Sequence, residues 1–94
     1  MYKIIFLKNN TEQIINPDEI TYFKEDLIIK KAASDCTVTL DFKNQSCYFQ
    51  TEDIEVEIPV IQMSFNLDEN EYVFHYTLVS EPNIKNTIII QQKK

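Results

Sequence analysis

Apolar and polar residues alternate with a period of two along much of the chain, and this constrains the fold more than any other feature. From Cys36 to Lys43 the even positions are apolar or cysteine and the odd positions are polar. Because successive side chains of a strand point to opposite faces, the pattern predicts half-buried strands of antiparallel sheets. Val60–Leu67 repeats the pattern, and its residues expected on the buried face are Ile61, Met63, Phe65 and Leu67.

Turn signals separate these segments, although the chain contains no glycine. Asn and Asp tolerate left-handed backbone best after glycine, and with Pro they recur about every eight to twelve residues, which is typical of sandwiches and barrels. We therefore predict an all-β fold, a small antiparallel sandwich or partly open barrel of about 7–10 short strands forming one domain over residues 1–94. The expected strands lie near residues 2–8, 12–15, 20–24, 27–32, 36–43, 47–50, 53–58, 60–67, 71–80 and 86–92. At most one helical turn is expected, around Pro17 to Ile20.

The inward parity changes twice in the middle of the chain. It is odd at Cys47 and Phe49, even through Ile54, Val56 and Ile58, and odd again from Ile61. A slip of one residue moves every side chain of a strand to the opposite face. We therefore expect turns, bulges or sheet corners at residues 50–53 and 59–60.

The two cysteines are expected to stay reduced. A two-residue hairpin turn at Asn44–Gln45 would place Cys47 opposite Phe42, which leaves Cys36 six residues further along. That separation is on the order of 20 Å, well beyond the reach of a disulfide. Free thiols are usual in a cytosol, where we place the protein.

Composition and the first residues agree with a cytosolic bacterial setting. Ile, Lys and Asn number 14, 9 and 8, whereas the chain has no arginine and two alanines, a bias that indicates an AT-rich genome such as that of a low-GC bacterium or its phage. The apolar run Ile4–Leu7 is too short for the core of a signal peptide. No stretch approaches the roughly 20 apolar residues that cross a bilayer.

The residue types that many catalytic sites need are missing or rare. Without glycine, phosphate-cradling loops and dinucleotide fingerprints are excluded, and without arginine so are bidentate anion clamps. His75 is the only histidine and is expected to be an ordinary strand residue, and a zinc site would need ligands beyond Cys36, Cys47 and His75. We therefore predict no enzyme activity, no catalytic residue, no cofactor and no metal.

Charge is unevenly distributed along the chain. Residues 1–31 contain five lysines and five acids, residues 32–81 contain one lysine and ten acids, and residues 82–94 contain three lysines and no acid. Carboxylates and branched apolar residues alternate from Glu52 to Ile58, so a strand here would project acids from one face about 6.5–7 Å apart. The turn from Asp68 to Glu71 would extend this row if the following hairpin packs beside it. The predicted partner-binding residues are Glu52, Asp53, Glu55, Glu57, Asp68, Glu69 and Glu71.

These acids support three interpretations. In the first, an acidic face exposed to water keeps a sheet protein soluble. In the second, the acidic turn 68–71 binds a divalent ion, although such turns are more commonly only solvated. The spacing also resembles the step between successive phosphates of a nucleic acid. We therefore hypothesise a phage or mobile-element inhibitor, of the anti-CRISPR or another anti-defence type, whose DNA-mimicking face blocks a nucleic-acid-handling enzyme. Its partner would be a host or bacterial protein with a basic surface, such as a nuclease.

Two other functions stay open at this point. The β-prone segment Ile84–Gln92 would suit a virion or tail component, or a bacterial immunity protein, that acts through sheet edges or forms a homodimer. A small barrel with 11 aromatic residues could instead bind single-stranded nucleic acid. The lysines available for that role are Lys3, Lys8, Lys24, Lys30 and Lys31. Direct nucleic-acid binding is disfavoured because acids outnumber lysines 15 to 9.

Overall fold

The alternating segments form strands close to where the sequence predicts them. The computed structural model describes residues 2–33 and 35–92, and within them it contains ten strands and one 3-10 turn, Pro17–Glu19. The strands are β1 (Tyr2–Lys8), β2 (Thr11–Gln13), β3 (Ile20–Phe23), β4 (Ile28–Ala32), β5 (Thr37–Asp41), β6 (Ser46–Gln50), β7 (Glu55–Ile58), β8 (Val60–Leu67), β9 (Glu71–Leu78) and β10 (Asn86–Gln92). The predicted all-β class and the single helical turn are confirmed.

The strands form two antiparallel sheets of five strands each. The first sheet has the order β2-β1-β10-β9-β8 and the second has the order β3-β4-β5-β6-β7. Neither sheet closes on itself, so the fold is a sandwich and not a closed barrel. The edge strands are β2 and β8 in the first sheet, and β3 and β7 in the second.

The position of β10 corrects one expectation from the sequence. The segment Ile84–Gln92 was expected to be an unprotected strand, but β10 lies between β1 and β9 and pairs with both. Its alternate residues Ile88 and Ile90 are almost completely buried. The branched side chains of this segment fit a central strand, where they pack against neighbours on both sides. β propensity alone does not distinguish a central strand from an edge strand.

The chain crosses from the second sheet to the first at Pro59. Proline has no amide to donate, which suits a corner, and its carbonyl accepts a hydrogen bond from the Val79 amide at 3.1 Å. A β-bulge follows, because Val60 pairs with Leu78 while Gln62 pairs with the next residue, Thr77. The predicted corner is confirmed, and the parity slip itself falls within the bulge.

The turn between β5 and β6 differs from the prediction. It has four residues, 42–45, so Cys47 pairs with Leu40 and not with Phe42. The longer turn is stabilised by the Asp41 carboxylate, which accepts hydrogen bonds from the Asn44 backbone amide at 3.0 Å and from its side-chain amide at 2.8 Å. Both cysteines are free, and the corrected register leaves Cys36 four residues beyond the partner of Cys47.

Aromatic rings join the two sheets. Phe42, in the β5–β6 turn, is buried with its ring centroid 4.7 Å from that of Phe74 on β9. The ring of Tyr22 on β3 lies 5.7 Å from the same phenylalanine in an edge-on arrangement. Such contacts add about 0.5–1.5 kcal/mol per pair to the free energy gained from burial. The remaining buried apolar residues are Phe6, Ile29, Leu40, Cys47, Met63, Tyr72, Ile88 and Ile90.

Across residues 2–33 and 35–92, no helix has the length and apolar character needed to cross a membrane.

Candidate protein-binding surface

Four of the predicted acidic residues lie at the turn between β6 and β7 and on β7 itself. Glu52 and Asp53 occupy the turn, and Glu55 and Glu57 follow on the strand. The hydroxyl of Thr51 shapes the turn by accepting a hydrogen bond from the Asp53 amide at 3.3 Å. All four acids are exposed, so their carboxylates are available to a partner.

The strand register places Glu55 and Glu57 on the outer face of the second sheet. Glu55 pairs with Gln50 and Glu57 pairs with Tyr48, on an edge strand whose other side has no neighbour in its sheet. Two residues of strand separate the two acids by about 6.5–7 Å. The strand begins at Glu55 and not at Asp53, so the regular row contains two carboxylates, with Asp53 beside it in the turn.

A groove of about 660 Å³ adjoins this turn and contains an acid that the prediction missed. Asp35, before β5, lines the groove together with Glu52 and Asp53. The register explains the proximity, because Thr37 pairs with Gln50 and the same register two residues further brings Asp35 level with Glu52. The predicted two-residue turn gave a different register, in which Asp35 is not paired with Glu52. Over the described ranges, no three His, Cys, Asp or Glu residues are grouped so that they could hold a metal ion.

The region around the β6–β7 turn contains five exposed acids, which are Asp35, Glu52, Asp53, Glu55 and Glu57. Among the residues that the structure describes, no lysine forms an ion pair with these carboxylates. Exposed charges act over about 8 Å at physiological ionic strength. The end of the second sheet near the β6–β7 turn therefore presents a negative field to solvent.

The other predicted acids, at the β8–β9 turn, lie in the first sheet. The Asp68 amide donates to the Glu71 carbonyl at 3.0 Å, and the Asp68 carboxylate accepts from the Glu69 amide at 2.7 Å. Glu71 is half-buried and pairs with Gln91 on β10. The β8–β9 hairpin does not pair with β7, so it does not extend the row of acids by strand pairing. Asp68 and Glu69 are exposed, and with Glu71 they stay predicted binding residues.

Exposed apolar side chains accompany the acids along residues 52–67. Their exposure was not predicted from the sequence. Five residues expected to face the core have 43% to 58% of their surface exposed: Ile54, Val56, Ile61, Phe65 and Leu67. Val56, Phe65 and Leu67 do pair with inward-facing residues, but they lie on edge strands where the opposite sheet covers them incompletely. The bulge displaces Ile61, and Ile54 lies in the turn before β7. We call residues 52–67, which contain these acids and apolar residues, the β7–β8 edge.

Cys47 and His75 are not brought together. His75 lies exposed on the outer face of the first sheet, where its Nδ1 is 3.1 Å from the Thr87 hydroxyl. Cys47 lies in the core on the inner face of the second sheet, and burial raises the pKa of its thiol to about 11. The thiol is therefore neutral near pH 7, and the core separates it from the imidazole.

The five lysines considered for nucleic-acid binding are divided between the sheets. Lys3 and Lys8 belong to β1 of the first sheet, Lys30 and Lys31 belong to β4 of the second, and Lys24 lies in the turn between β3 and β4. Lys30 and Lys31 point to opposite faces, with their ammonium groups 5.5 Å from the ring centroid of Phe23 and 5.6 Å from that of Phe6, respectively. Lys8 and Lys31 line the same pocket between the sheets, whereas Lys30 lies on the opposite face of β4.

No known family, curated protein or solved structure shows significant similarity to this chain. The β7–β8 edge is therefore interpreted from its own chemistry and geometry.

Proposed function

We propose that this protein is a non-enzymatic protein-binding module that holds a basic partner on the acidic residues of the β7–β8 edge and the neighbouring groove. The observation that carries the proposal is the cluster of exposed carboxylates without a lysine partner among the described residues. Its members are Asp35, Glu52, Asp53, Glu55 and Glu57. An uncompensated field of this kind attracts a basic surface and accelerates association.

The proposed partner is an enzyme that handles nucleic acid, such as a nuclease. Such enzymes carry basic grooves that bind phosphates, and the step from Glu55 to Glu57 approximates the spacing of successive phosphates. Occupation of that groove would exclude the nucleic acid, so the protein would act as an inhibitor. The AT-rich composition agrees with a phage or mobile element as its source and an anti-defence role, for example as an anti-CRISPR protein.

The exposed apolar residues favour binding over a purely solubilising role. An acidic face that only keeps the protein in solution needs charge alone, and large apolar side chains next to it work against solubility. Val56 is about half exposed between Glu55 and Glu57 in sequence. Interfaces commonly combine apolar and charged residues, and this edge exposes both kinds.

Charge reversal at the edge tests the proposal. Asp53, Glu55 and Glu57 are changed together to lysine, and the matched control changes Glu12, Glu19 and Glu25, which are also exposed acids, to lysine. Both variants change the net charge from −6 to 0. Tagged wild type and both variants are used to capture proteins from a lysate of the source cell, and mass spectrometry quantifies each captured protein.

We expect a basic nucleic-acid-handling protein to be captured about tenfold less by the edge variant and near the wild-type level by the control. Duplex DNA added to the lysate should displace it, because the DNA competes for the same groove. A captured partner that both variants reduce equally, or neither reduces, contradicts the proposal.

A further inference from the structure

Strand β8 is the longest edge strand and has no charge to protect it. It contains eight residues, against three in β2 and four each in β3 and β7. Natural edge strands are usually kept short or carry lysine or proline, because their free backbone groups otherwise pair with another chain. β8 contains neither lysine nor proline, and the bulge at Val60–Gln62 distorts only its first residues.

In the regular part of β8, the backbone amides and carbonyls that do not bond to β9 point away from the first sheet. The hydrogen bond from the Asp68 amide to the Glu71 carbonyl makes these two a hydrogen-bonded pair. Antiparallel pairs alternate between hydrogen-bonded and non-hydrogen-bonded, so the odd residues Met63, Phe65 and Leu67 are of the second kind. Their amides and carbonyls therefore face away from β9, where the first sheet has no further strand.

We propose, on the basis of the protein-binding function above, that the partner adds an extended segment to β8 and pairs with Met63, Phe65 and Leu67. Main-chain hydrogen bonds then provide part of the affinity, as in other cases of strand addition. Alternate apolar side chains of the segment cover Phe65 and Leu67, which are 43% and 48% exposed. The segment is apolar on the face that covers Phe65 and Leu67, and it is basic near the end that lies beside Asp68 and Glu69.

Charge complementarity selects a basic segment over a second copy of this chain. Two exposed acids, Asp68 and Glu69, lie in the turn that directly follows β8, whereas Glu55 and Glu57 lie on the second sheet. Pairing two copies through β8 would bring together two molecules that each have a net charge of −6. Like charges brought together at an interface are unfavourable, whereas lysines of a partner are attracted.

Amide hydrogen exchange with a defined probe tests strand addition. The probe is a capped heptapeptide of alternating lysine and valine, and its control has glutamate in place of each lysine. The backbone amides of Met63, Phe65 and Leu67 should exchange quickly in the free protein and at least about tenfold more slowly with the lysine peptide. The glutamate peptide should bind about tenfold more weakly. An absence of protection at these amides with millimolar lysine peptide overturns the inference.

Two variants at one position separate backbone pairing from side-chain contact. Leu67→Ala removes the exposed side chain and keeps the amide, whereas Leu67→Pro also removes the amide that faces the open edge. We expect the proline variant to weaken peptide binding about tenfold and the alanine variant to weaken it less. Equal effects of the two contradict strand addition. If the proline variant does not fold, the exchange experiment on the wild-type chain still decides.

The outcomes distinguish this inference from the proposed function. If the charge-reversal variant loses its partner while the β8 amides stay unprotected in the wild-type complex, the partner docks on the acids alone and only strand addition is wrong. If the β8 amides become protected as the free protein is concentrated, and sedimentation shows a dimer, a second copy occupies the strand and the basic segment is wrong. Capture that is insensitive to charge reversal contradicts the proposed function instead.

Discussion

Two residues with ordinary side chains adopt backbone conformations that glycine usually takes. Leu27 and Gln45 have φ values of 53° and 55°, and each is the last residue of a four-residue turn. Asn9 and Asn10, at 49° and 68°, fit the sequence expectation that asparagine replaces glycine in tight turns. Nothing in the local pattern marks Leu27 or Gln45 as left-handed, which is why the register of the β5–β6 hairpin was wrong by two residues.

Replacing Gln45 with asparagine should stabilise the protein. A left-handed conformation costs a typical residue roughly 1–2 kcal/mol, and asparagine tolerates it better. We expect Gln45→Asn to raise the free energy of unfolding by about 0.5–1 kcal/mol in urea denaturation. Gln50→Asn, on an exposed strand residue outside the left-handed group, is the control and should bring no gain. Equal effects of both changes would exclude backbone strain as the cause.

The buried thiol of Cys47 should make stability depend on alkaline pH. Burial raises its pKa from 9.0 to about 11. Between these values the unfolded chain loses the proton and the folded chain keeps it, so the free energy of unfolding falls as pH rises from 9 through 11. Burial, followed by the nearby Cys47 and Glu81, also raises the pKa of Tyr76, which steepens the fall above pH 10.

Urea denaturation at pH 8, 9 and 10 measures this dependence. Cys47→Ala should make the fall between pH 8 and 10 shallower, because it removes the group whose pKa differs between the two states. Cys36→Ala, which removes the half-buried thiol, is the matched control and should retain the wild-type slope. Identical slopes in all three proteins would show that the Cys47 thiol is not responsible.

At the scale of strands, periodicity identified every element but not its neighbours. Segments with a period of two became strands because the pattern depends only on which face is buried. Whether a strand is central or at an edge depends on its partners, which the pattern does not contain. For this reason β10 was expected at an edge and Phe65 and Leu67 were expected in the core. The acids of β7 were located correctly because exposed charge on a short strand is a local property.

The two faces of β10 predict a contrast between adjacent residues. Ile90 is completely buried between the sheets, whereas Ile89 is half-buried on the outer face. We expect Ile90→Ala to lower the free energy of unfolding by about 2–5 kcal/mol because it leaves a cavity. Ile89→Ala should cost about 1 kcal/mol, since it loses less buried surface. Comparable costs in urea denaturation would contradict the placement of Ile90 in the core and Ile89 on the outer face.

At the scale of the whole molecule, acidic charge is concentrated in the middle of the chain. The segment 32–81 contains ten acids and one lysine. Its strands β5, β6 and β7 are neighbours in the second sheet, so carboxylates that are distant in sequence come close in space, as Asp35 and Glu52 do. Repulsion among them destabilises the compact state, and a basic partner would relieve it.

Salt should therefore act in opposite directions on folding and on binding. Raising NaCl from about 20 to about 200 mM shortens the range of charge interactions, so repulsion among the acids weakens and we expect the free energy of unfolding to rise by roughly 0.5–1 kcal/mol. The same screening should reduce capture of a basic partner. Urea denaturation and capture in matched buffers measure the two effects. The double change Glu55→Gln and Glu57→Gln should diminish the effect of salt on the free energy of unfolding and on capture. The control, Glu12→Gln with Glu25→Gln, lies in the charge-balanced first third of the chain and should leave both salt effects unchanged. Salt that weakens folding as well as binding would mean that attractive ion pairs dominate this surface, contrary to an acidic face whose charge only a partner compensates.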